Sequence, residues 1–292
     1  MLRQVRRLEF RTRRLVDSHF SGEYPSVFRG QGLEFAEVRE YLPGDDVRTI
    51  DWNVTARSGV PHVKTYTEER ELSVLLAVDV SGSVRFGSRV RFKSDVVAEV
   101  AATLALSAAR NNDRVALAAF TDRVEASVPP RKGRRHALRI VRDLLALAPA
   151  GRGTDLAAAL AHGVRLLPAR SVIFLFSDFA GVSSSSTFER ALATASVRHD
   201  IVPVVISDPA DTALPELGLV EIRDPETGEM LVVDSSRRSV REQYAASIAR
   251  DHTAATRLFR RMGLDTVHLR TDEPYAPPLL AFFRSRERRF RS

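Results

Sequence analysis

The chain has 292 residues, a formal net charge of +7 and no cysteine. That length suits one large α/β domain with an appendage, or two modest domains. The missing cysteine excludes a disulfide framework, a thiolate metal site and a cysteine nucleophile.

No stretch approaches the ~18 consecutive apolar residues of a membrane span, and no apolar segment follows the N-terminal arginines as it does in a secretory signal. A cytoplasmic protein with no membrane span is therefore expected. The positive charge is almost wholly arginine, because Lys64, Lys93 and Lys132 are the only lysines. Residues 1–20 read as an amphipathic helix, with Leu2, Val5, Leu8 and Leu15 among Arg3, Arg6, Arg7, Arg11, Arg13 and Arg14. A second basic block, Arg284, Arg286, Arg288, Arg289 and Arg291, closes the chain. Such blocks attract nucleic acid, anionic lipid or acidic proteins, or are simply solvated. Aromatics beside them are too few for base stacking, so nucleic acid is not the expected partner.

A loop is expected over 21–31. Pro43-Gly44 then marks a turn, and Asp45 or Asp46 can cap a short helix carrying Val47, Ile50 and Val54 on one face, ended by Ser58-Gly59. His62–Thr67 alternates as a strand does. Asp46, Arg48, Asp51 and Arg57 suggest ion pairs that dock this segment on the rest of the protein, with Trp52 buried in the contact. The Gly30-x-Gly32 pair has neither the preceding strand nor the following helix of a dinucleotide loop.

Ser73–Ser83 (SVLLAVDVSGS) is the centre on which the remaining elements are arranged. Val74–Val78 is a continuous apolar run, suited to a strand buried on both faces of a parallel sheet. It ends at Asp79, with Ser81 and Ser83 around Gly82, where open α/β sheets place ligands. A carboxylate and two hydroxyls spaced i, i+2, i+4 can turn toward one point and offer Mg²⁺ hard oxygen donors. The same residues also serve as a cap for the next helix. That helix is expected over about Ser88–Ala109, then a strand at Val115–Phe120 and an antiparallel edge strand at Val124–Val128 blunted by Pro129 and Pro130. Helices at Gly133–Leu147 and Asp155–Leu167 precede a strand at Val172–Phe176. Thr154 stands at the glycine-rich start (Gly151-Arg152-Gly153-Thr154) of the helix at Asp155–Leu167, and Asp178 follows the strand at Val172–Phe176. The Ser183–Ser186 run reads as a mobile rim loop beside Asp178, ahead of a helix at Thr187–Arg198. A strand at Ile201–Ile206 and a hairpin of Leu219–Arg223 with Met230–Val233 come next. The hairpin is expected to share a small β subdomain with the strand near Val63. Helices at Ser239–Met262 and Pro277–Arg288 flank a last strand, Thr266–Leu269. Strand–helix alternation argues a doubly wound α/β sheet. The histidines do not cluster at zinc spacing, and neither a nucleophile elbow nor a P-loop is present.

The order Asp79-x-Ser81-x-Ser83, then Thr154, then Asp178 resembles the metal-ion-dependent adhesion site of von Willebrand factor A-type domains, with each ligand position filled. A second resemblance lies upstream, to a bacterial family labelled domain of unknown function 58, whose members carry a von Willebrand A-like domain after this signature. Its matching pieces are Gly30-x-Gly32-x-Glu34-Phe35, Arg39-x-Tyr41, Gly44-Asp45-Asp46-x-Arg48, Ile50-Asp51-Trp52, Ala56-Arg57, Val63-Lys64 and Glu69-Arg70, with Asp224–Glu229 further on. The resemblance implies a mostly parallel, Rossmann-like sheet of von Willebrand A type with a small N-terminal and β-hairpin subdomain. The expected division is a family-specific segment over 1–70 and the A-like domain over 71–292, with its hairpin inserted at about 218–234. It implies Mg²⁺ or Mn²⁺ as cofactor, with hydroxyl oxygens of Ser81, Ser83 and Thr154 as direct ligands and Asp79 and Asp178 holding the metal's waters. A position left open on the cation would take a partner's Glu or Asp. The implied function is a non-enzymatic adaptor or co-chaperone linking a MoxR-type AAA+ ATPase to a client protein. The rival reading is a Mg²⁺-dependent phosphatase-like hydrolase using Asp79. It lacks the second aspartate two residues on, where Ser81 stands, and the lysine expected after the fourth helix or strand. A third reading, a basic nucleic-acid-binding protein, rests on the terminal arginines alone.

Overall fold

The computed structural model describes residues 32–69, 72–85, 91–182, 185–212, 214–223 and 229–291. The helix expected over 1–20, the loop over 21–31 and the first basic block lie outside them. The chain divides into two compact units, with a boundary between Leu72 and Ser73.

The smaller unit is a two-stranded antiparallel sheet of β1 (Gly32–Glu40) and β2 (His62–Glu69), with a register shift between Phe35 and Glu37. Its long connection is held by its acids. Asp45 takes a two-pronged contact from the Arg39 guanidinium at 2.7 and 2.8 Å, and Asp46 caps a 3₁₀ turn at Val47–Thr49. Asp51 caps a separate helix, α1 (Trp52–Ser58), through the N–H groups of Asn53 and Val54, and pairs with Lys64 at 3.3 Å. One expected helix is thus two short elements, and the Asp and Arg side chains close the unit's own connection. Strand β1 was not expected. Trp52 is 69% exposed rather than buried. The half-buried face of α1 carries Val54 and Thr55, and Trp52 is two residues before Val54, roughly 200° around the helix.

In the larger unit, β3 (Ser73–Asp79) is followed by α2 (Lys93–Arg110), β4 (Arg114–Phe120), β5 (Val124–Arg131), α3 (Arg134–Ala146) and α4 (Leu156–Leu166). Next come β6 (Val172–Ser177), α5 (Ser186–Arg198), β7 (Asp200–Ser207) and the single-turn α6 (Pro209–Thr212). Strands β8 (Leu219–Arg223) and β9 (Met230–Asp234) precede α7 (Arg238–Arg261), β10 (Val267–Arg270) and α8 (Ala276–Arg291). Six strands form one sheet in the order β10-β7-β6-β3-β4-β5, parallel except for β5. This is a doubly wound, mostly parallel sheet.

Every residue of β3 is buried, which is why it reads as an unbroken apolar run. Leu75 and Ala77 pack into a cluster with Leu156 and Leu160 of α4, Phe188 and Leu192 of α5, and Phe259 of α7. A Cβ at Gly163 would stand 2.7 Å from Leu75 Cδ2, so the glycine lets α4 lie close on β3. Each fully buried Leu or Phe here stabilises the fold by about 1.5–3 kcal/mol.

The β8–β9 hairpin forms where expected but is a two-stranded sheet of its own. The strand bearing Val63 pairs with β1 in the smaller unit, whereas the hairpin belongs to the larger one. Ser185 and Ser186 are also not loop residues: Ser185 caps α5 by accepting from Phe188 N at 3.1 Å, and Ser186 opens that helix. The rest of the expected mobile loop, residues 183 and 184, lies outside the described residues. Among the described residues no helix is long and apolar enough to cross a membrane.

Candidate metal centre

Strand order reverses around β3: the chain moves outward through β4 and β5, then returns to place β6 on the other side of β3. The crevice beyond the carboxyl ends of β3 and β6 is therefore the topological switch point, where this fold class binds ligands. Asp79 ends β3 and Asp178 directly follows β6.

Beyond Asp79, Val80 N–H donates to Phe120 O at 2.9 Å and Ser81 N–H folds back onto Asp79 Oδ1 at 2.9 Å. This turn brings the Ser81 and Ser83 hydroxyls to 3.2 Å of each other. Thr154 arrives on the loop before α4, with Oγ1 3.5 Å from Asp79 Oδ2. Three contacts seat that loop. Gly82 N–H donates to Arg152 O at 3.1 Å, Asp155 N–H donates to Thr121 O at 2.9 Å, and Asp155 caps α4 through Ala158 N. Glu125 of β5 accepts from Ala150 N at 3.0 Å, Gly151 N at 2.7 Å and Thr121 Oγ1 at 2.7 Å. A Cβ at Gly151 would collide with Thr121 Oγ1 and Asp122 Oδ1.

Asp79 has no exposed surface. Among the described residues its carboxylate accepts from Ser81 N, Thr154 Oγ1 and Ser177 Oγ, the shortest contact being Ser177 Oγ at 2.7 Å. Burial and then the nearby Asp178 charge push its carboxyl up to about 7, against the pull of the Ser81 and Ser177 hydrogen bonds. Among the described residues no Lys, Arg or His forms an ion pair with it. A buried carboxylate with no counter-charge among the described residues, and with hydroxyl oxygens around it, is the environment a hard divalent cation satisfies. Asp79, Ser81, Ser83, Thr154 and Asp178 thus fit Mg²⁺ or Mn²⁺. No group of three or more His, Cys, Asp and Glu side chains suited to a metal occurs among the described residues. This donor set differs in relying chiefly on hydroxyls.

The first four of those residues form one hydrogen-bonded chain. Asp178 stands beside it and is engaged otherwise. Its Oδ1 accepts from Ala180 N at 3.3 Å, and its Oδ2 lies 3.0 Å from Lys93 Nζ, whose side chain is only 3% exposed. The same ammonium lies 2.9 Å from Asp211 Oδ2 on α6. Burial lowers the proton affinity of Lys93, but the charges of Asp178 and Asp211 outweigh it, so its pKa is raised. Ser177, Lys93 and Asp211 are absent from the sequence-based site. Ser177 precedes Asp178 at the strand end, and Lys93, a rare lysine at a helix start after the Asp79 loop, was the available signal.

A family model described as "Protein of unknown function DUF58" matches residues 37–254. An uncharacterized protein of Mycobacterium bovis is 32% identical over 97% of this chain and 89% of its own length. Among solved structures, an aerotolerance-related membrane protein from Bacteroides fragilis has a TM-score of 0.49 at 15% identity, covering 75% of this chain and 99% of that one. A von Willebrand factor type A protein from Catenulispora acidiphila has a TM-score of 0.38 at 20% identity, covering 64% of this chain and 44% of that one.

Proposed function

The chain belongs to the DUF58 family of proteins of unknown function, and from that membership we propose that it is a metal-dependent protein-binding module rather than an enzyme. The observation that carries this reading is the hydrogen-bonded chain of Asp79, Ser81, Ser83 and Thr154 at the switch-point crevice, with Asp178 beside it and no counter-charge to the buried Asp79 among the described residues. When bound, Mg²⁺ or Mn²⁺ supplies an electrophilic position for a carboxylate from another protein. Ser81, Ser83 and Thr154 would hold the ion through their hydroxyl oxygens, and the buried Asp79 would balance its charge. A carboxylate given to a partly dehydrated cation is directional, so one Glu or Asp of the partner acts as a hot spot.

The family resemblance points to an adaptor or co-chaperone joining a MoxR-type AAA+ ATPase to a client protein. Burial of Asp79 argues against the phosphatase-like alternative, since a nucleophilic carboxylate must meet its substrate. A nucleic-acid role draws little support from the C-terminal arginines. Arg286 is buried in ion pairs with Asp200 at 2.8 Å and Asp265 at 2.9 Å, and its guanidinium lies 5.4 Å from the Phe282 ring centroid.

The test is capture of the ATPase or client by the immobilised protein in Mg²⁺, in EDTA and in 1 M NaCl. Capture is expected in Mg²⁺, loss in EDTA, and loss in Ser81→Ala. Capture that survives EDTA but dissolves in salt overturns the metal bridge and leaves basic-patch attraction.

A further inference from the structure

The metal centre already contains a cation of the protein's own. Lys93 opens α2 behind the cap residue Phe92, and its buried ammonium bridges Asp178 Oδ2 at 3.0 Å and Asp211 Oδ2 at 2.9 Å. Asp178 therefore has one oxygen held by an ammonium and the other by a backbone N–H. Asp79, by contrast, has no counter-charge among the described residues. The two carboxylates of the centre are thus unequal.

Resting on the proposed metal site, we propose that Lys93 is a tethered competitor of the divalent ion: it holds Asp178 as well as Asp211 when the metal is absent, and releases Asp178 while keeping Asp211 when the metal is present. A lysine suits this task because its ammonium is a compact charge on a flexible stem, able to release one acceptor without leaving its pocket. Asp211 is the acceptor it keeps. It lies on the single-turn α6, and its carboxylate also takes Asp208 N at 2.7 Å. The neighbouring Ala210 carbonyl accepts the Tyr244 hydroxyl of α7 at 3.3 Å. Occupancy of the crevice is therefore carried along a short chain of contacts, from Asp178 through Lys93 to the loop after β7 and to α7. Lys93 sets both how tightly the ion is held and how its arrival is felt elsewhere.

The experiment is calorimetric titration with MnCl₂ of the full chain, of Lys93→Met and of Asp211→Asn, with melting curves to verify folding. Lys93→Met is expected to bind Mn²⁺ at least ~10-fold more tightly, the scale of one charge up to about 10 Å away at an effective dielectric constant near 20. Asp211→Asn, which takes the second carboxylate away from the ammonium, is expected to bind ~10-fold more weakly. If Lys93→Met does not fold, the double variant Lys93→Met/Asp211→Asn replaces it and is expected to bind Mn²⁺ ~10-fold more tightly than Asp211→Asn alone, from which it differs only in the ammonium. In ¹⁵N spectra Mg²⁺, which is diamagnetic, should shift the Asp208 and Asp211 amides of the wild type but not those of the lysine variant. Equal or weaker Mn²⁺ affinity in a folded lysine variant overturns the role of Lys93 and leaves the metal site standing. Absence of binding in every folded protein overturns both.

Discussion

The carboxyl group of Asp79 makes the fold sensitive to pH in a sense opposite to most surface acids. Its pKa rises from 3.8 in the unfolded chain to about 7 in the folded one. Between those values the native state holds a proton that the unfolded chain has released. Stability of the metal-free protein should therefore fall as pH rises through this window, with a limiting slope of ~1.4 kcal/mol per unit from this group. Melting curves in EDTA from pH 5 to pH 8 measure that slope, and Asp79→Asn should flatten it. Mg²⁺ favours the ionised carboxylate and should reverse the trend, an effect that Asp79→Asn abolishes. Ser177→Ala is a second probe, since Ser177 Oγ donates to Asp79 Oδ2 at 2.7 Å and accepts from Phe179 N at 3.0 Å. Phe179 is buried, so its N–H cannot turn to bulk water when that hydroxyl is removed. A loss of ~1–3 kcal/mol by urea unfolding is expected. Residues of this kind are hard to see in sequence. Asp79, Ser81 and Ser83 announce themselves by spacing, whereas Ser177 hides in an apolar strand. Lys93 meets Asp178 across 85 positions of chain.

At the scale of elements, the loop before α4 is the adjustable part of the centre. It is fastened by Glu125 and fits only because Gly151 lacks a side chain. Gly151→Ala should push the loop away and move Thr154 Oγ1 out of reach of Asp79. The expected result is ~10-fold weaker Mg²⁺ binding with β3 and Asp79 undisturbed, readable as a smaller metal-induced rise in Tm. An unchanged rise would show that Thr154 is dispensable. The strands and helices of the sheet unit were largely legible because parallel strands buried on both faces leave unbroken apolar runs such as Val172–Phe176. Strand β1 was not, because Glu34, Glu37 and Glu40 interrupt it and its pairing to β2 is stated nowhere locally. Of the Asp and Arg residues expected to form ion pairs, Arg48 reaches only Asp46, two residues away, and Asp51 pairs instead with Lys64 of β2.

For the molecule as a whole, charge and metal should make separable contributions to partner capture. Screening at 1 M salt shortens the Debye length to ~3 Å and removes general attraction to arginine, while a metal–carboxylate contact at close range persists. Capture in Mg²⁺ should therefore keep most of its strength in high salt but be lost in EDTA. Sequence could not foresee which arginines are turned toward solvent for such attraction. Arg286 sits in the same basic run as Arg288 and Arg289, yet it is an internal brace between α8 and Asp200 and Asp265. Nor could it foresee Trp52, whose indole lies outward on α1.

The place of β3 in the sheet also has a consequence during synthesis. It is the first of the six strands to be translated and lies in the interior of the sheet, between β4 and β6. Its β6 neighbour is made about a hundred residues later, which at roughly 5–20 residues per second takes about 5–20 s. Through that interval the segment Val74–Val78 keeps one hydrogen-bonding edge unpaired, a short apolar stretch of the kind prone to aggregate. Asp178 is translated just after β6, so the crevice cannot form before then and no ion can assist the earlier steps. A ribosome-bound chain stalled before Val172 should accordingly bind a hydrophobic-segment chaperone and ignore Mg²⁺, whereas one carrying the complete sheet should release the chaperone.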